Sequence, residues 1–374
     1  MNHEIILIKQ ENYNQNEIDS SILRAFEYFG GLTKFVSSGD NVLLKVNLVS
    51  GHSPEKRITT DPSIVKSVAK MLLDLGAKPF IADSPGIDNF SRAAEKAGFT
   101  KIADELKIPC VELDEPIEAP VAKNLAYNKI KLSRKVLEAD KVINLAKMKT
   151  HGQMLLTLAT KNLFGCVPGR LKAGWHYNVG LDRVKFASLL LDIHALVKPV
   201  ISILDGVIGM HGDGPTSGDP FKFGLIAATT NAPKLDFHLC RMMGAELENY
   251  PLWLAAKSRN FPECELTPED LHGDFGSGFV FPGVKIPKTQ SMRLLPKIKF
   301  LERLMTSRPV HIPEKCVGCG RCQDVCAAHA LKHENRKLTF DYAKCIRCYC
   351  CHEMCPVKAI KFRESWLVKL LSKI

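Results

Sequence analysis

Short apolar runs and longer amphipathic segments alternate along the first 230 residues of the chain. The apolar runs, rich in Val, Ile and Leu, predict five strands, at 41–46, 79–82, 141–145, 199–204 and 223–228. The amphipathic segments predict helices at 62–75, 89–97, 182–197 and 232–243. Such alternation is typical of an α/β fold, so we expect a largely parallel sheet with helices on both faces.

The helix at 62–75 has the clearest boundaries of these elements. Asp61 precedes it in a capping position, Pro62 occupies its first turn, and Gly76 ends it. Because it connects the first two predicted strands, this stretch predicts one βαβ unit. The helical and strand periodicities are lost between residues 260 and 288, where we expect an irregular segment that covers the core.

Nine of the thirteen cysteines lie between residues 316 and 355, where the spacing C-x-x-C-x-x-C-x-x-x-C occurs twice. A loop with a cysteine at every third residue can place three thiolates around one [4Fe-4S] cluster, while the fourth cysteine binds the other cluster. We therefore predict two [4Fe-4S] clusters. The ligands of the first are Cys316, Cys319, Cys322 and Cys355, and those of the second are Cys345, Cys348, Cys351 and Cys326. Structural zinc sites are the alternative, but they usually use two separated cysteine pairs.

The region from Pro309 to Phe362 resembles the bacterial-type ferredoxins that hold two clusters. Two residues depart from that pattern. Ala327 stands where a proline usually follows the first cysteine run, and Cys350 is a thiol beyond the eight that the clusters need. The resemblance implies a small α+β domain with a ferredoxin-like fold.

These features predict four parts of the chain. They are an α/β domain at 1–290, a basic amphipathic linker at 291–308, a ferredoxin domain at 309–362 and a short amphipathic tail at 363–374. No apolar stretch approaches the roughly 20 residues of a membrane-spanning helix, and the first residues lack the pattern of a signal peptide. We therefore expect no transmembrane segment and a cytoplasmic location.

The formal charge of the chain is +11, and two clusters with their thiolates would lower it to about +7. A basic surface of this kind favours an acidic redox partner protein. We expect no nucleic-acid partner, because the sequence has no aromatic residues interleaved with basic ones in the manner of single-strand readers. The glycines at 206, 209, 212 and 214 form no phosphate-loop or dinucleotide fingerprint, so NAD or ATP binding is not supported.

Polar residues follow every predicted strand of the α/β domain. In an open α/β sheet, ligands bind beyond the carboxyl ends of the strands, so these residues predict a polar site at one edge. The candidate substrate-binding residues are Asn47, Asp83, Ser84, Asp205, Gly212 and Gly214. The candidate catalytic residues are Lys147, Lys149, His151, Lys161 and Asn162. The lysines could bind a carboxylate or phosphate, and His151 could move protons or be structural.

Six short strings along the large domain carry a second resemblance. They are KVNLV at 45–49, TTDPSIV at 59–65, DSPG at 83–86, AKMKTH at 146–151, TKNLFG at 160–165 and DGVIGMHGDGP at 205–215. In this order they resemble a family of iron-sulfur center proteins known as domain of unknown function 362. The resemblance implies the two-part architecture, but it implies no particular substrate.

The sequence therefore favours two functions. The first is a low-potential oxidoreductase that passes electrons between two clusters and a small molecule at the strand-end site. The second is a non-catalytic carrier or adaptor whose α/β domain docks an acidic redox partner.

Overall fold

The computed structural model describes residues 4–86, 88–169, 171–287, 306–334 and 336–363. Its strands are β1 Ile5–Lys9, β2 Asn41–Lys45, β3 Lys78–Asp83, β4 Cys110–Glu112, β5 Pro116–Glu118, β6 Lys131–Ser133, β7 Lys141–His151, β8 Leu155–Thr157, β9 Ile201–His211, β10 Asp219–Phe221, β11 Leu225–Thr229, β12 Leu271–Gly273, β13 Arg308–His311, β14 Leu331–Glu334, β15 Lys337–Phe340 and β16 Ile360–Arg363. Its α-helices are α1 Gln15–Tyr28, α2 Pro62–Asp74, α3 Phe90–Lys96, α4 Phe99–Leu106, α5 Arg134–Glu138, α6 Ala159–Asn162, α7 Leu171–Val179, α8 Arg183–Val197, α9 Ala232–Met242, α10 Pro251–Ser258, α11 Arg321–Asp324 and α12 Cys350–Glu353.

A ten-stranded mixed sheet forms the large part of the molecule. Its strand order is β12-β1-β11-β9-β7-β2-β3-β4, and the short strands β8 and β10 pair with β7 and β9. Neighbours from β9 to β4 are parallel, whereas β11 is antiparallel to both β9 and β1. The carboxyl ends of five parallel strands therefore meet at one edge of the sheet.

Helices cover both faces of this sheet. Successive residues of β1 alternate between two apolar cores, with Ile5 and Leu7 in one and Ile6 and Ile8 in the other. Helices α1 to α4 pack on the second core, and α8 to α10 pack on the first. This arrangement confirms the predicted α/β fold class with a largely parallel sheet.

The five predicted strands are present as β2, β3, β7, β9 and β11, and the four predicted helices as α2, α3, α8 and α9. The sequence analysis did not predict β1, α1, α4, α7 or α10. It also ended two strands too early, because β7 and β9 each have eleven residues and continue through polar or glycine-rich sequence. Short turns and β12 interrupt the irregular segment that was expected from residue 260.

The small C-terminal module is built from two related halves. Its second cysteine run begins twenty-nine residues after the first, and α12 follows α11 by the same interval. The halves exchange strands, since β13 pairs with β16 and β14 with β15 in antiparallel fashion. Of the predicted linker only residues 306–308 are described, and of the predicted tail only residue 363, so both lie mainly outside the described residues.

Candidate functional site

The cysteines of the C-terminal module line two small cavities. One is lined by Cys316, Cys319, Cys322 and Cys355. The other is lined by Cys326, Cys345, Cys348 and Cys351, together with Cys350. The structure thus brings together the two sets of four thiols that the sequence analysis assigned to separate clusters. It also places the additional thiol of Cys350 at the second cavity.

The walls of both cavities fit a [4Fe-4S] cluster. Apart from the thiols they are mainly apolar, and each contains a backbone donor aimed at a cysteine. The N–H of Ala330 donates to Cys326 Sγ at 3.2 Å, and the N–H of Ala359 donates to Cys355 Sγ at 3.1 Å. Hydrogen bonds to cluster sulfurs and the polarity around them are the means by which a protein sets cluster potentials.

Corresponding positions in the two cysteine loops have left-handed backbone. In the first loop they are Gly318 and Gly320, with φ of 77° and 76°. In the second they are Arg347 and Tyr349, with φ of 49° and 62°, where a side chain costs roughly 1–2 kcal/mol. The Tyr349 hydroxyl donates to the carbonyl of Ser307 at 2.8 Å and so fixes the second loop to the chain before the module.

The C-terminal module packs on the carboxyl edge of the sheet. Arg321 of α11 forms an ion pair with Asp88 at 3.1 Å. The Thr216 hydroxyl donates to the backbone carbonyl of Glu353 in α12 at 2.6 Å. These contacts bring the wall of the second cysteine cavity opposite the strand ends.

A chamber of about 840 Å³ lies between the two parts. From the strand ends it is lined by Asn47, Leu48, Asp83, Ser84 and Glu112. From the region of α6 and α7 it is lined by Lys161, Asn162, Phe164, Gly165, Gly169, Lys172 and His176. From the C-terminal module it is lined by Asp324, Val325, Cys326, Cys350, Glu353 and Met354. The volume is within the usual range for small-molecule sites.

A buried ion pair lies at the chamber wall, with Asp83 on the wall and Lys45 behind it. The Lys45 ammonium lies 2.9 Å from Asp83 Oδ1, and both side chains are almost fully buried. The other Asp83 oxygen accepts the N–H of Leu48 at 2.7 Å. Gly165 packs directly on the pair, because a Cβ at this position would lie 2.2 Å from Asp83 Oδ1. Asp83 is therefore held as a fixed, neutralised carboxylate.

An amide network joins Asn47 to the region of α6. Asn47 donates through Nδ2 to Asn162 Oδ1 at 2.9 Å, and Asn162 donates to Asn144 Oδ1 at 2.8 Å. The ammonium of Lys149 donates to Asn47 Oδ1 and to the carbonyl of Ile58, both at 2.7 Å. Burial lowers the pKa of Lys149 well below its ordinary value. Lys149 is thus behind the chamber wall and supports Asn47.

Lys147 lies still further from the chamber. Its ammonium contacts Asp205 Oδ2 at 2.6 Å and the Tyr13 hydroxyl at 2.9 Å, and the Lys147 and Asp205 side chains are fully buried. Gly212 donates its N–H to the carbonyl of Lys285, and the carbonyl of Gly214 accepts the N–H of Gly152. The structure therefore does not bring Lys147, Asp205, Gly212 or Gly214 to the chamber.

His151 is fixed in one tautomer beside the C-terminal module. Its Nδ1 accepts the N–H groups of Gln153 and Met154 at 3.0 and 3.2 Å, so the ring proton is on Nε2. Nε2 lies 3.2 Å from Glu353 Oε1 and donates to it. Burial lowers the pKa of His151 well below its ordinary value, so the ring is neutral. This geometry suits a positioning residue for Glu353 better than a proton acceptor.

The cations of the chamber wall are Lys161 and Lys172. The Lys172 ammonium donates to the carbonyl of Ser84, and burial lowers its pKa to about 8. The Lys161 ammonium lies 6.0 Å from the centroid of the Phe164 ring, and burial lowers its pKa as well. Burial also lowers the pKa of His176 to about 3, so this ring is neutral.

Sequence reasoning missed several residues of the chamber. Lys45 lies directly behind the wall as the partner of Asp83, and a lysine inside an apolar run is a recognisable signal for a buried partner. Lys172 and His176 lie on α7, which was not predicted, and no local signal marked them. Cys166, next to Gly165, is fully buried, and burial raises its pKa to about 12, so it is a thiol without nucleophilic character.

Two family models match the chain. One is described as domain of unknown function (DUF362) and matches residues 42–241; the other is described as a 4Fe-4S dicluster domain and matches residues 308–356. A thylakoid-associated protein of Synechocystis sp. is 36% identical over 266 residues, which cover 70% of this chain and 82% of that protein. Within the ranges that the structure describes, no helix combines the length and apolarity needed to cross a membrane.

Two solved structures align with part of the chain. The lactate racemase apoprotein from Thermoanaerobacterium thermosaccharolyticum aligns with a TM-score of 0.41 and 13% identity, over 62% of this chain and 55% of that chain. A protein from Thermotoga maritima aligns with a TM-score of 0.37 and 12% identity, over 59% of this chain and 56% of that chain. This chain thus spans just over half the length of either solved chain.

Proposed function

The chain belongs to the DUF362 family and carries a 4Fe-4S dicluster domain, and from this premise we propose that it is an iron-sulfur oxidoreductase. A bound [4Fe-4S] cluster would supply one-electron transfer, and we propose that it does so at low potential. We propose two such clusters, on the two sets of four cysteines, with electrons passing between them and a small substrate in the chamber. The observation that carries the proposal is the chamber itself, since Cys326 and the strand-end residues line the same space.

The two cysteine cavities differ in their surroundings, and this difference supports separate roles for the two clusters in electron transfer. Cys326 of the second cavity borders the chamber. In the first cavity Cys319 is exposed, and the neighbouring Val317 side chain is 55% exposed. The first cluster would therefore exchange electrons with an external partner protein, and the second with the substrate.

A glycine of the chamber wall offers a direct test. Gly169 lines the chamber, and a Cβ at this position would meet no atom within 4 Å. Gly169→Leu should therefore fill part of the chamber without disturbing the fold. Gly174 on α7 is equally open and does not line the chamber, so Gly174→Leu is the matched control.

The experiment starts with anaerobic purification and native mass spectrometry, which identifies a retained small molecule. That molecule is then incubated with each variant and a viologen reductant, and its conversion is followed by mass spectrometry. We expect wild type and Gly174→Leu to turn over equally, and Gly169→Leu to be at least tenfold slower with unchanged iron content. No retained molecule, or equal turnover in all three, would instead favour the non-catalytic carrier.

We also propose an acidic redox partner that docks near Cys319. The positive charge of the chain supports this, since complementary charges steer association. Electron exchange with an acidic ferredoxin or flavodoxin should slow steeply as salt increases. A rate that does not depend on salt would contradict the proposal.

We propose a cytoplasmic location for the protein, as the sequence analysis expected. The name of the Synechocystis relative records an association of that protein with thylakoids. Separation of cell extracts into soluble and membrane fractions tests the two alternatives, and recovery mainly with membranes would overturn our proposal.

A further inference from the structure

One cation on the chamber wall, Lys161, has no direct partner among the described residues. It makes no hydrogen bond or ion pair with any of them, and the negative charge that acts on it most strongly is that of Glu353. An ammonium group that is partly removed from water without a direct partner is costly. A ligand anion would remove that cost. Lys172 adds a second ammonium to the same wall.

The acidic side chains of the chamber are already engaged or lie where water reaches them. Asp83 is paired with Lys45, and Asp88 with Arg321. Glu353 accepts the Nε2–H of His151, but this ring is neutral, so the negative charge of Glu353 still acts on Lys161. Asp324 is exposed, and Glu112 is half-buried on the edge strand β4. Lys45, Lys161 and Lys172 thus stand against Asp83 and Glu353 in and behind the enclosed wall, which leaves a net positive charge there. Asp324 and Glu112 lie nearer to solvent.

The shape and chemistry of the walls narrow the class of anion. The rings of Phe164 and His176 stand edge to face, with centroids 5.8 Å apart, and Leu48, Val325 and Met354 add apolar surface. Backbone N–H groups at the start of a helix often bind phosphate. At the start of α6 these groups instead donate to the carboxylate of Asp236, both at 2.9 Å. A carboxylate, which is planar, attached to an apolar group therefore fits these walls better than a phosphate does.

We propose that the chamber binds a small carboxylate with an apolar body, and that Lys161, assisted by Lys172, binds its carboxylate group. This inference rests on the proposed function, because it names the class of molecule that exchanges electrons there. The chain contributes one ammonium without a direct hydrogen bond, a second ammonium on the same wall, and an aromatic and aliphatic surface for the rest of the ligand.

Benzoate and benzamide provide a matched pair of probes, because they share a ring and differ in charge. Binding to the oxidised, cluster-loaded protein is measured by calorimetry. We expect wild type to bind benzoate at least tenfold more tightly than benzamide and more tightly than phenyl phosphate. Lys161→Met should abolish the preference for benzoate over benzamide, since only the charged contact is lost.

Two further variants are compared with Lys161→Met, one that should leave binding unchanged and one that should weaken it. Lys185→Met removes an exposed lysine of α8 and should keep the preference. Gly169→Leu should weaken both ligands, because it fills the chamber. Equal binding of benzoate and benzamide by wild type, a preserved preference in Lys161→Met, or unchanged binding in Gly169→Leu would each overturn the inference. Tighter binding of phenyl phosphate than of benzoate would show that the chamber prefers a phosphate group to a carboxylate.

The failure of this inference is distinguishable from failure of the proposed function. If benzoate shows no preference while turnover of the retained molecule still falls in Gly169→Leu, the redox function stands and the carboxylate assignment is wrong. If benzoate binds as expected while turnover is absent in wild type, the chamber is an anion site and the redox function is wrong.

Discussion

Cys326 and Cys350 both line the chamber and the second cysteine cavity, but we assign them different roles. Cys326 completes the set of four with Cys345, Cys348 and Cys351, and its sulfur accepts the N–H of Ala330. The Cys350 thiol donates to the carbonyl of Cys348 at 3.9 Å and also hydrogen-bonds the Cys348 thiol, in keeping with a packed thiol.

Replacing these two cysteines in turn tests the assignment. Cys326→Ala should retain about half of the wild-type iron after anaerobic purification, because one cluster loses a ligand. Cys350→Ala should retain all of it. Iron analysis with electron paramagnetic resonance of the reduced protein distinguishes the variants. Loss of iron in Cys350→Ala would show that Cys350 is a ligand.

Lys149 should make the stability of the protein vary with pH in the alkaline range. Burial lowers its pKa in the folded chain, so between that lowered pKa and about 10.5 the unfolded chain binds more protons. The free energy of unfolding therefore rises with pH in this window. In Lys149→Met the rise in melting temperature from pH 8 to pH 10 should be smaller than in wild type.

Anaerobic calorimetry at the two pH values measures this difference. Lys147, Lys161 and Lys172 also have lowered pKa values from burial, so part of the rise should remain in Lys149→Met. Lys185→Met, at an exposed position, should behave as wild type. A rise in Lys149→Met that equals the wild-type rise would contradict the buried position of this ammonium.

The turn that follows α6 depends on a glycine. Gly165→Ala would bring a Cβ within 2.2 Å of Asp83 Oδ1 and 2.5 Å of the Lys45 ammonium. Separating a buried ion pair costs roughly 3–5 kcal/mol, so we expect a loss of unfolding free energy of about that size. Denaturant unfolding measures it, with Gly169→Ala as the control. Wild-type stability in Gly165→Ala would contradict the close packing at this turn.

The elements that the sequence predicted are those in which local pattern and tertiary environment agree. Asp61 caps α2 and accepts the N–H of Ser63, and Pro62 occupies its first turn, as the motif indicated. The outer halves of β7 and β9 were missed because their residues are polar or glycine. Lys147 and Lys149 can be buried in β7 only because Asp205 and Asn47 reach them from elsewhere in the chain.

The candidate site was predicted in part for the same reason. Asn47, Asp83, Ser84, Lys161 and Asn162 do line one space, since the carboxyl ends of parallel strands meet at one edge of the sheet. Gly212 and Gly214 do not, because their backbone groups pair with Lys285 and Gly152, and the loop after β9 reaches the chamber with Pro215 instead. The strand-end rule could not predict Glu353 either, because this residue belongs to the C-terminal module. It contacts His151 only when the two modules pack together.

At the scale of the whole molecule, the two modules form one site. The α/β domain supplies cations, amides and an aromatic wall, and the C-terminal module closes the space with Cys326 and Met354. A ligand in the chamber is thereby next to the second set of cysteines and removed from the exposed Cys319. This arrangement is what the oxidoreductase proposal depends on.

Rapid mixing of the reduced protein with the retained small molecule tests that proposal most directly. The visible absorbance of the clusters reports their oxidation, and the experiment compares wild type, Gly174→Leu and Gly169→Leu. We expect rapid reoxidation of the first two and at least tenfold slower reoxidation of Gly169→Leu. Clusters that stay reduced in wild type while the molecule is bound, or that reoxidise equally fast in Gly169→Leu, would contradict it.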